Sequence, residues 1–199
     1  MFPLPIAIRA LLFANLAVFG LQWLLGDERL LVFALWPLAS SGHGGPAFEL
    51  WQVVTYSFLH GGVAHLLFNM LGLVTFGSAL ERTAGPVRVL VLYFVSVLSA
   101  AAAQLLVPPL FGAPPAPAIG ASGGIFGLLL AYAILFPRSK VLLLIPPIPM
   151  PAWLFAMLYT IVELYLGVTG TQAGVAHFAH LGGMVGAALV VWSWRHRSR

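Results

Sequence analysis

The sequence predicts an all-α polytopic membrane protein that crosses the bilayer with six helices. Of its 199 residues, 61% are hydrophobic and only 7% are charged, whereas soluble domains carry about 45–50% apolar and about 25% charged residues. Six continuous stretches approach the roughly 20 apolar residues that a spanning helix needs. Because lipid leaves unpaired backbone groups unsatisfied, such stretches are predicted to be helices and not strands of a barrel.

The predicted helices form one membrane domain over residues 1–199. They cover residues 6–25, 62–80, 87–107, 121–136, 150–168 and 176–194. The long connection at residues 26–61 is rich in aromatic residues, and we expect it to lie at the outward membrane interface. Prolines interrupt residues 108–119 and 145–151, so neither stretch is expected to be helical throughout. No small-residue cleavage site follows the first helix, which we interpret as a retained anchor.

The basic residues predict the orientation, because lysine and arginine accumulate on the cytoplasmic side of membrane proteins. If the N-terminus is cytoplasmic, eight of the nine basic residues fall inside and Arg29 alone falls outside. The inner set is Arg9, Arg82, Arg88, Arg138, Lys140, Arg195, Arg197 and Arg199. Both termini are therefore predicted to be cytoplasmic, and the start of the fourth helix to face outward. The short chain without a transit extension favours a bacterial inner membrane.

Composition argues against several classes of function. The net charge of +4 does not indicate nucleic-acid binding, because the few basic residues lie at the ends of the predicted helices. Cysteine is absent, which excludes disulfides and thiolate metal sites. A transporter or channel would be expected to show internal repeats and broken helices at mid-membrane, and neither is visible. No cofactor is expected.

Polar groups inside membrane helices are costly, so each is a functional-site hypothesis. Ser122 lies in the run Gly120–Gly124, which opens the apolar fourth helix. If Pro137 marks the inner boundary, the helix rises about 22 Å from Ser122, within an apolar core of roughly 30 Å. The serine would then lie a few ångströms below the outward surface and be reachable from that side.

His180 on the sixth helix is the candidate general base, because an imidazole titrates near neutrality and can take the serine proton. Its helix carries Gly182, Gly183 and Gly186, and small residues let another helix approach closely. Packing of this face against the glycines around Ser122 would bring the two side chains within hydrogen-bond reach.

A negatively charged oxygen in the transition state needs hydrogen-bond donors. Ser122 begins a helix, where backbone N–H groups are free and the helix dipole favours negative charge. His65 and Asn69 are four residues apart, hence on one face of the second helix. The Ser122 backbone N–H, His65 and Asn69 are therefore candidate oxyanion donors.

Metal binding is an alternative use of the histidines. His177 and His180 could share one ligand face, but Glu163 is the only carboxylate nearby, so no metal site is expected. We interpret Glu163 as a polar group exposed at the interface, with a role as third catalytic residue as the less favoured alternative. His177 is interpreted as a loop-edge residue without a chemical role.

The chain resembles the rhomboid family of intramembrane serine proteases over nearly its whole length. The resemblance lies in three motifs: His60 with His65 and Asn69, the run Gly120-Ala121-Ser122-Gly123, and Ala179-His180 followed by Gly183. It implies a compact six-helix rhomboid-like bundle, with Ser122 as nucleophile and His180 as general base in a dyad that has no aspartate. It also implies that His65, Asn69 and the Ser122 backbone N–H form the oxyanion site.

Further positions follow the same resemblance. The supporting residues are His60, Gly120, Gly123, Phe126 and Gly183. His60 is implied to be structural, Phe126 to lie against the catalytic histidine, and Glu81 to fit the family pattern at the end of the second helix. The family's first loop commonly has Trp-Arg, whereas this chain has Trp51-Gln52, a departure that concerns how the loop is anchored.

The sequence is thus expected to encode a serine endopeptidase that cleaves transmembrane or juxtamembrane segments of single-pass membrane proteins through an acyl-enzyme. The expected partners are such substrates and the lipid bilayer, and the oligomeric state stays open. We expect the fifth helix and its flanking loops to act as a gate, with hinges in the proline-rich stretch before the helix and at Gly167, Gly170 and Gly174 after it. The alternative is a catalytically inactive rhomboid-like protein that binds membrane clients, although such proteins usually lack the serine or the histidine.

Overall fold

The computed structural model describes residues 3–38, 45–112, 116–143, 146–171 and 174–197. Arg199 and parts of the two proline-rich connections lie outside these residues. The helices, in chain order, are α1 (Ile6–Leu25), α2 (Asp27–Leu30), α3 (Gln52–Thr55), α4 (Val63–Gly72), α5 (Ser78–Ala84), α6 (Pro86–Leu106), α7 (Ser122–Leu135), α8 (Ala152–Thr169) and α9 (His177–Arg197). Shorter 3₁₀ turns cover Leu31–Phe33, Tyr56–Phe58 and Pro108–Phe111, and a π-helical segment, Leu73–Gly77, joins α4 to α5.

Four stretches of the described chain are helical, long and apolar enough to cross a membrane: Ile6–Leu25, Val63–Ala84, Pro86–Phe111 and Ala152–Thr169. Helix α7 is apolar but has only 14 residues, and α9 has 21. The chain is therefore a mostly helical integral membrane protein, while the count of six spanning helices stays a prediction. The long helices begin and end within four residues of the predicted bounds when α4, the π-helical segment and α5 are taken together, whereas the short helices α2 and α3 were not predicted.

The connection between α7 and α8 contains an antiparallel hairpin of β1 (Lys140–Leu143) and β2 (Ile148–Pro151). The sequence did not predict these strands, because the prolines of β2 suggested a simple break. A two-stranded hairpin accepts them, since each strand is an edge and a proline need not donate to a second neighbour.

Glycines in α7 and α9 let the central helices pack at very short range. A Cβ atom on Gly183 would overlap the carbonyl oxygen of Gly123, so α9 and α7 touch through their backbones. On the neighbouring face of α9, a Cβ on Gly186 would lie 2.8 Å from the Cβ of Ser99 in α6. Small residues are what permit such close helix contacts inside a bilayer.

The buried carboxylate of Glu81 caps the first helix. Its Oε1 accepts a hydrogen bond from the Ala7 N–H at 3.0 Å, and its Oε2 accepts one from the Ile8 N–H at 2.9 Å. The residue before α1 is Pro5, which gives no side-chain cap, and the first N–H groups of a helix have no partner within it. Glu81 thus ties the start of α1 to α5 and meets the positive end of the helix dipole.

The long loop before α4 is fixed by a buried glutamine. Gln52 is only 1% exposed; its Oε1 accepts a hydrogen bond from the Trp36 N–H at 3.1 Å. Its Nε2 donates to the carbonyl oxygens of Val32 and Ala47, each at 3.0 Å. Both polar ends of this amide therefore anchor the loop, in the place of the arginine that the family resemblance would imply.

We predict that Glu81→Ala lowers the free energy of unfolding by about 2–4 kcal/mol, because it leaves two buried N–H groups of α1 without the charged acceptor. Thermal unfolding in detergent measures the change. Glu28→Ala, at an exposed glutamate, is the matched control and should leave the midpoint unchanged. Equal midpoints for the two variants would contradict the capping role.

Candidate active site

Ser122 is the first residue of α7, and the chain before it is held by the long loop. The Gly120 N–H donates to the carbonyl oxygen of Tyr56 at 2.9 Å, and the Tyr56 hydroxyl donates to the carbonyl oxygen of Val97 in α6 at 2.9 Å. Gly120 has a φ of +124°, and a Cβ there would come within 2.8 Å of the His65 ring. Glycine is therefore required at this position both by the backbone and by the available space.

The hydroxyl oxygen of Ser122 lies 2.8 Å from Nε2 of His180. Ser122 directly precedes Gly123, and His180 lies three residues before Gly183, so the glycine contact between α7 and α9 sets the separation of the two side chains. His180 is 8% exposed. The structure thus brings the predicted nucleophile and base into hydrogen-bond reach.

An aromatic ring covers one face of His180. The Phe126 ring lies parallel to the imidazole, with ring centroids 4.2 Å apart and an angle of 4° between the planes. Phe126 follows Ser122 by one helical turn, so α7 supplies both the hydroxyl and the stacking ring. The stack restricts rotation of the imidazole about its χ angles.

His65 and Asn69 lie on one face of α4 and line the same cavity as the serine–histidine pair. The Gly61 N–H donates to Nδ1 of His65 at 3.2 Å, so the neutral ring carries its proton on Nε2. That nitrogen lies over Gly120, at the start of α7. Asn69 donates one amide hydrogen to the His65 carbonyl oxygen at 2.8 Å and has a second to offer. Side-chain donors therefore gather beside a helix N-terminus that has no side-chain cap.

His60 precedes α4 and is held in place by Gln22 of α1. Oε1 of Gln22 accepts from the His60 N–H at 2.9 Å, and its Nε2 donates to the His60 carbonyl oxygen at 3.1 Å. The His60 ring meets the His65 ring edge-on, with centroids 5.1 Å apart. Burial and, to a smaller extent, His65 lower the pKa of His60 to about 4, so this ring is neutral near pH 7. Gln22 was missed, although a buried glutamine in an apolar helix is a signal of its own.

Glu163 of α8 is buried behind His180, so its interpretation as an interface-exposed group is wrong. Glu163 is 7% exposed. Its Oε2 forms a hydrogen bond of 2.6 Å with Nδ1 of His177. The same oxygen lies 2.9 Å from Nδ1 of His180, at ion-pair distance but without a directed hydrogen bond. The serine and histidine therefore do not stand as an isolated dyad.

His177 also differs from its expected position. It is the first residue of α9 and is 5% exposed, and is not a loop-edge group without contacts. Helix α8 packs against this end of α9, where a Cβ on Gly167 would lie 3.2 Å from the Cβ of His177. Gly167, expected as a hinge, therefore lies inside α8, whereas Gly170 and Gly174 have φ angles of +63° and +86° beyond it.

Glu163, His177 and His180 form a cluster of metal-ligand atoms within the described residues. Two ligands of one tetrahedral zinc ion, each about 2.0–2.1 Å from it, would lie roughly 3.3 Å apart. The separations of 2.6 Å and 2.9 Å from Oε2 are shorter than this. The arrangement fits paired side chains better than ligands, and the expectation of no metal stays a prediction.

A cavity of about 850 Å³ leads from the surface to Ser122. Its walls come from α4, the π-helical segment, α7, α8 and β1. The polar groups described above surround the serine, while the rest of the lining is mainly apolar and includes Phe76 and Phe155, whose ring centroids are 6.4 Å apart. An extended apolar chain could therefore lie between α4 and α8 with one bond near the serine.

Comparison with known families matches residues 47–197 to the rhomboid domain. The chain belongs to the rhomboid family. It is 32% identical to the mitochondrial Rhomboid protein 1 of Saccharomyces cerevisiae over 171 residues, which make up 81% of this rhomboid and 49% of that protein. It is 31% identical to Rhomboid protease GlpG of Serratia proteamaculans over 202 residues, covering 98% of this chain and 64% of that one.

A third relative is Rhomboid protease GluP of Bacillus subtilis, which is 32% identical over 140 residues, or 69% of this chain and 25% of that protein. This rhomboid thus spans between a quarter and about two thirds of the length of these relatives. The match to the rhomboid domain includes the loop before α4 from residue 47 onward and every residue of the site except Gln22.

We predict that Gly183→Ala separates α7 from α9 and reduces the reaction of Ser122 with a fluorophosphonate probe by about 10²-fold, because a displacement of about 1 Å has effects of that size. The new methyl group would overlap a backbone carbonyl, which cannot move aside as a side chain can. Mass spectrometry of the labelled rhomboid gives the rate. Gly20→Ala is the control, since its Cβ would have no neighbour within 4 Å; equal labelling rates would refute the packing argument.

Proposed function

We propose that this rhomboid is an intramembrane serine endopeptidase that cleaves transmembrane or juxtamembrane segments of single-pass membrane proteins. The observation that carries the proposal is the 2.8 Å contact between Ser122 Oγ and His180 Nε2. The contact lies at the N-terminus of α7 and lines a mainly apolar cavity. The rhomboid proteases among the relatives support the same activity.

The reaction begins when Ser122 Oγ attacks the carbonyl carbon of the scissile bond and its proton passes to Nε2 of His180. The tetrahedral intermediate collapses as His180 gives this proton to the leaving amine, which leaves an ester on Ser122. His180 then takes a proton from a water molecule that attacks the ester. Departure of the acid returns the proton to Ser122 and restores the enzyme.

The negative oxygen of the tetrahedral intermediate is held by donors on two helices. The Ser122 backbone N–H belongs to the uncapped first turn of α7, where the helix dipole adds favourable charge. Nε2–H of His65 and the free amide hydrogen of Asn69 approach from α4. Such donors are fixed in place before the reaction, so they cost no reorganisation when the charge develops.

The substrate enters between α4 and α8 in this proposal. A helical backbone hides its carbonyl groups, so the segment must unwind near the serine, and small or helix-destabilising residues are expected near the scissile bond. Water for deacylation reaches the serine from the outward side. The orientation is supported by Arg88 and Arg195, which line a groove together with Leu135, at the end of α7 away from Ser122. With both termini cytoplasmic, the site opens outward, and a bacterial inner membrane is the proposed location.

We predict that wild-type protein in liposomes cleaves a single-pass model substrate and that Ser122→Ala and His180→Ala reduce the rate by more than about 10³-fold, because each removes a partner in the proton transfer. Gel analysis of the products measures the rate. His196→Ala, at an exposed histidine near the end of α9, is the control and should cleave normally. Full activity of Ser122→Ala would overturn the assignment, and substrate binding without Ser122-dependent cleavage would favour the inactive client-binding alternative.

We predict that Asn69→Ala and His65→Ala each lower kcat by about 10²- to 10³-fold, the usual effect of losing one oxyanion donor, with little change in KM. Steady-state kinetics with the same substrate separates the two constants. Thr75→Val, which changes another polar residue lining the cavity, is the control. A rise in KM with unchanged kcat would assign these residues to substrate binding instead.

A further inference from the structure

A continuous line of polar contacts runs from the serine through three helices. Ser122 of α7 meets His180 of α9 at 2.8 Å, and the opposite nitrogen of this imidazole lies 2.9 Å from the carboxylate of Glu163 on α8. The same carboxylate oxygen holds His177, one turn before His180, at 2.6 Å. The mechanism above uses only the first of these contacts.

A buried carboxylate is costly unless opposite charges or hydrogen-bond donors accompany it. Glu163 is 7% exposed, and within the described residues it forms ion pairs with two histidines of α9. The short hydrogen bond from His177 fixes where the carboxylate lies, and the carboxylate in turn lies against Nδ1 of His180. The carboxylate is therefore held in one position by specific buried partners, unlike a chance contact at the surface.

The carboxylate selects the state of His180 that the reaction needs. A negative oxygen beside Nδ1 favours the proton on that nitrogen, which leaves the lone pair on Nε2, facing the Ser122 hydroxyl. It also stabilises the imidazolium that forms when Nε2 takes the serine proton. The contact between Glu163 and His180 Nδ1 lacks the geometry of a hydrogen bond in the resting structure. This is compatible with the role, because catalytic hydrogen bonds often tighten only when substrate is bound.

We propose that Glu163, held by His177, is a positioning residue for His180, so that this rhomboid works with a serine, a histidine and a buried glutamate. The proposal rests on the proposed protease function and deepens it. The proton of Ser122 moves only to Nε2, the Nδ1 proton stays on His180, and Glu163 remains ionised throughout. His177 acts on the carboxylate alone and transfers no proton.

The groups that face His180 from the surrounding helices allow a pH measurement to be interpreted. The titratable ones are Glu163, Tyr159, His177 and His65. Helix α6 meets this part of α9 with Ser99, Ala100 and Ala103, which do not titrate. Glu163 is thus the only negative charge among these groups near neutral pH.

The test uses the full chain in liposomes with the single-pass substrate, comparing wild type with Glu163→Gln, which keeps the shape but removes the charge. We expect kcat to fall by about 10²-fold with KM unchanged, less than the loss of about 10⁴-fold when a well-directed triad carboxylate is neutralised. The acid limb of the profile of kcat/KM against pH should move to lower pH, because the imidazolium loses its counter-charge. His177→Phe should also lower kcat and move the acid limb to lower pH, but each by less than Glu163→Gln does.

Glu81→Gln is the matched control, because it neutralises a buried glutamate that contacts only α1 in its recorded hydrogen bonds. It should lower thermal stability without moving the acid limb. Ser122-dependent cleavage that is unchanged in rate and pH profile by Glu163→Gln would overturn the role of Glu163 and leave the proposed function standing. If the wild-type protein showed no cleavage that depends on Ser122, the proposed function itself would be overturned.

A second measurement does not depend on turnover. Nitrogen-15 spectra of histidine-labelled protein, with His180 assigned from the His180→Ala spectrum, report which ring nitrogen carries the proton. We expect the Nδ1–H form in the wild type and a mixture of tautomers in Glu163→Gln. The same tautomer population in both proteins would refute the positioning role, whatever the activity.

Discussion

The backbone contact between Gly123 and Gly183 is the constraint on which the site depends. Because Gly183 has no Cβ, α7 and α9 approach until the carbonyl oxygen of Gly123 lies against the α-carbon of Gly183. Ser122 and His180 flank this contact, so their separation of 2.8 Å follows from the rigid crossing of two helices. The positions of Phe126 and of the α7 N-terminus are fixed by the same crossing, and a site built on helices holds its geometry better than one built on loops.

Buried polar side chains then connect the outer elements to this central pair. Glu81 caps α1, Gln22 clamps the chain at His60, and Gln52 anchors the long loop, each through hydrogen bonds to backbone groups. Inside a bilayer an unpaired backbone group cannot form a hydrogen bond with water instead, so the loss of these contacts is costly. Apolar packing has no direction, so the core alone would not fix the position of the loop. The turn at Gly120, which positions the serine, depends on that loop.

The sequence predicted the helices and the serine–histidine pair because both give local signals: apolar length for the first, and a polar group in an apolar segment for the second. The same rule applied to Glu163, the only charged residue in α8, yet its surroundings could not be derived. Fourteen positions separate it from His177, and the sequence of the connection does not say which faces of the two helices meet. The hairpin after α7 was missed for a related reason, since its strands pair with each other and Val141 packs into the core, and neither contact leaves a local signal in the sequence.

The arrangement of charges explains how the proposed ionic reaction can proceed in a largely buried site. Attack by Ser122 creates a negative oxygen and a positive imidazolium, and separated charges in a medium of low dielectric constant repay their cost only beside fixed partners. In the proposed mechanism the α7 N-terminus and His65 receive the first charge, and Glu163 receives the second. The Phe126 ring, stacked on the face of His180, adds a cation–π contact to the imidazolium. Because both partners are in place before the substrate binds, little reorganisation of the protein is needed during the reaction.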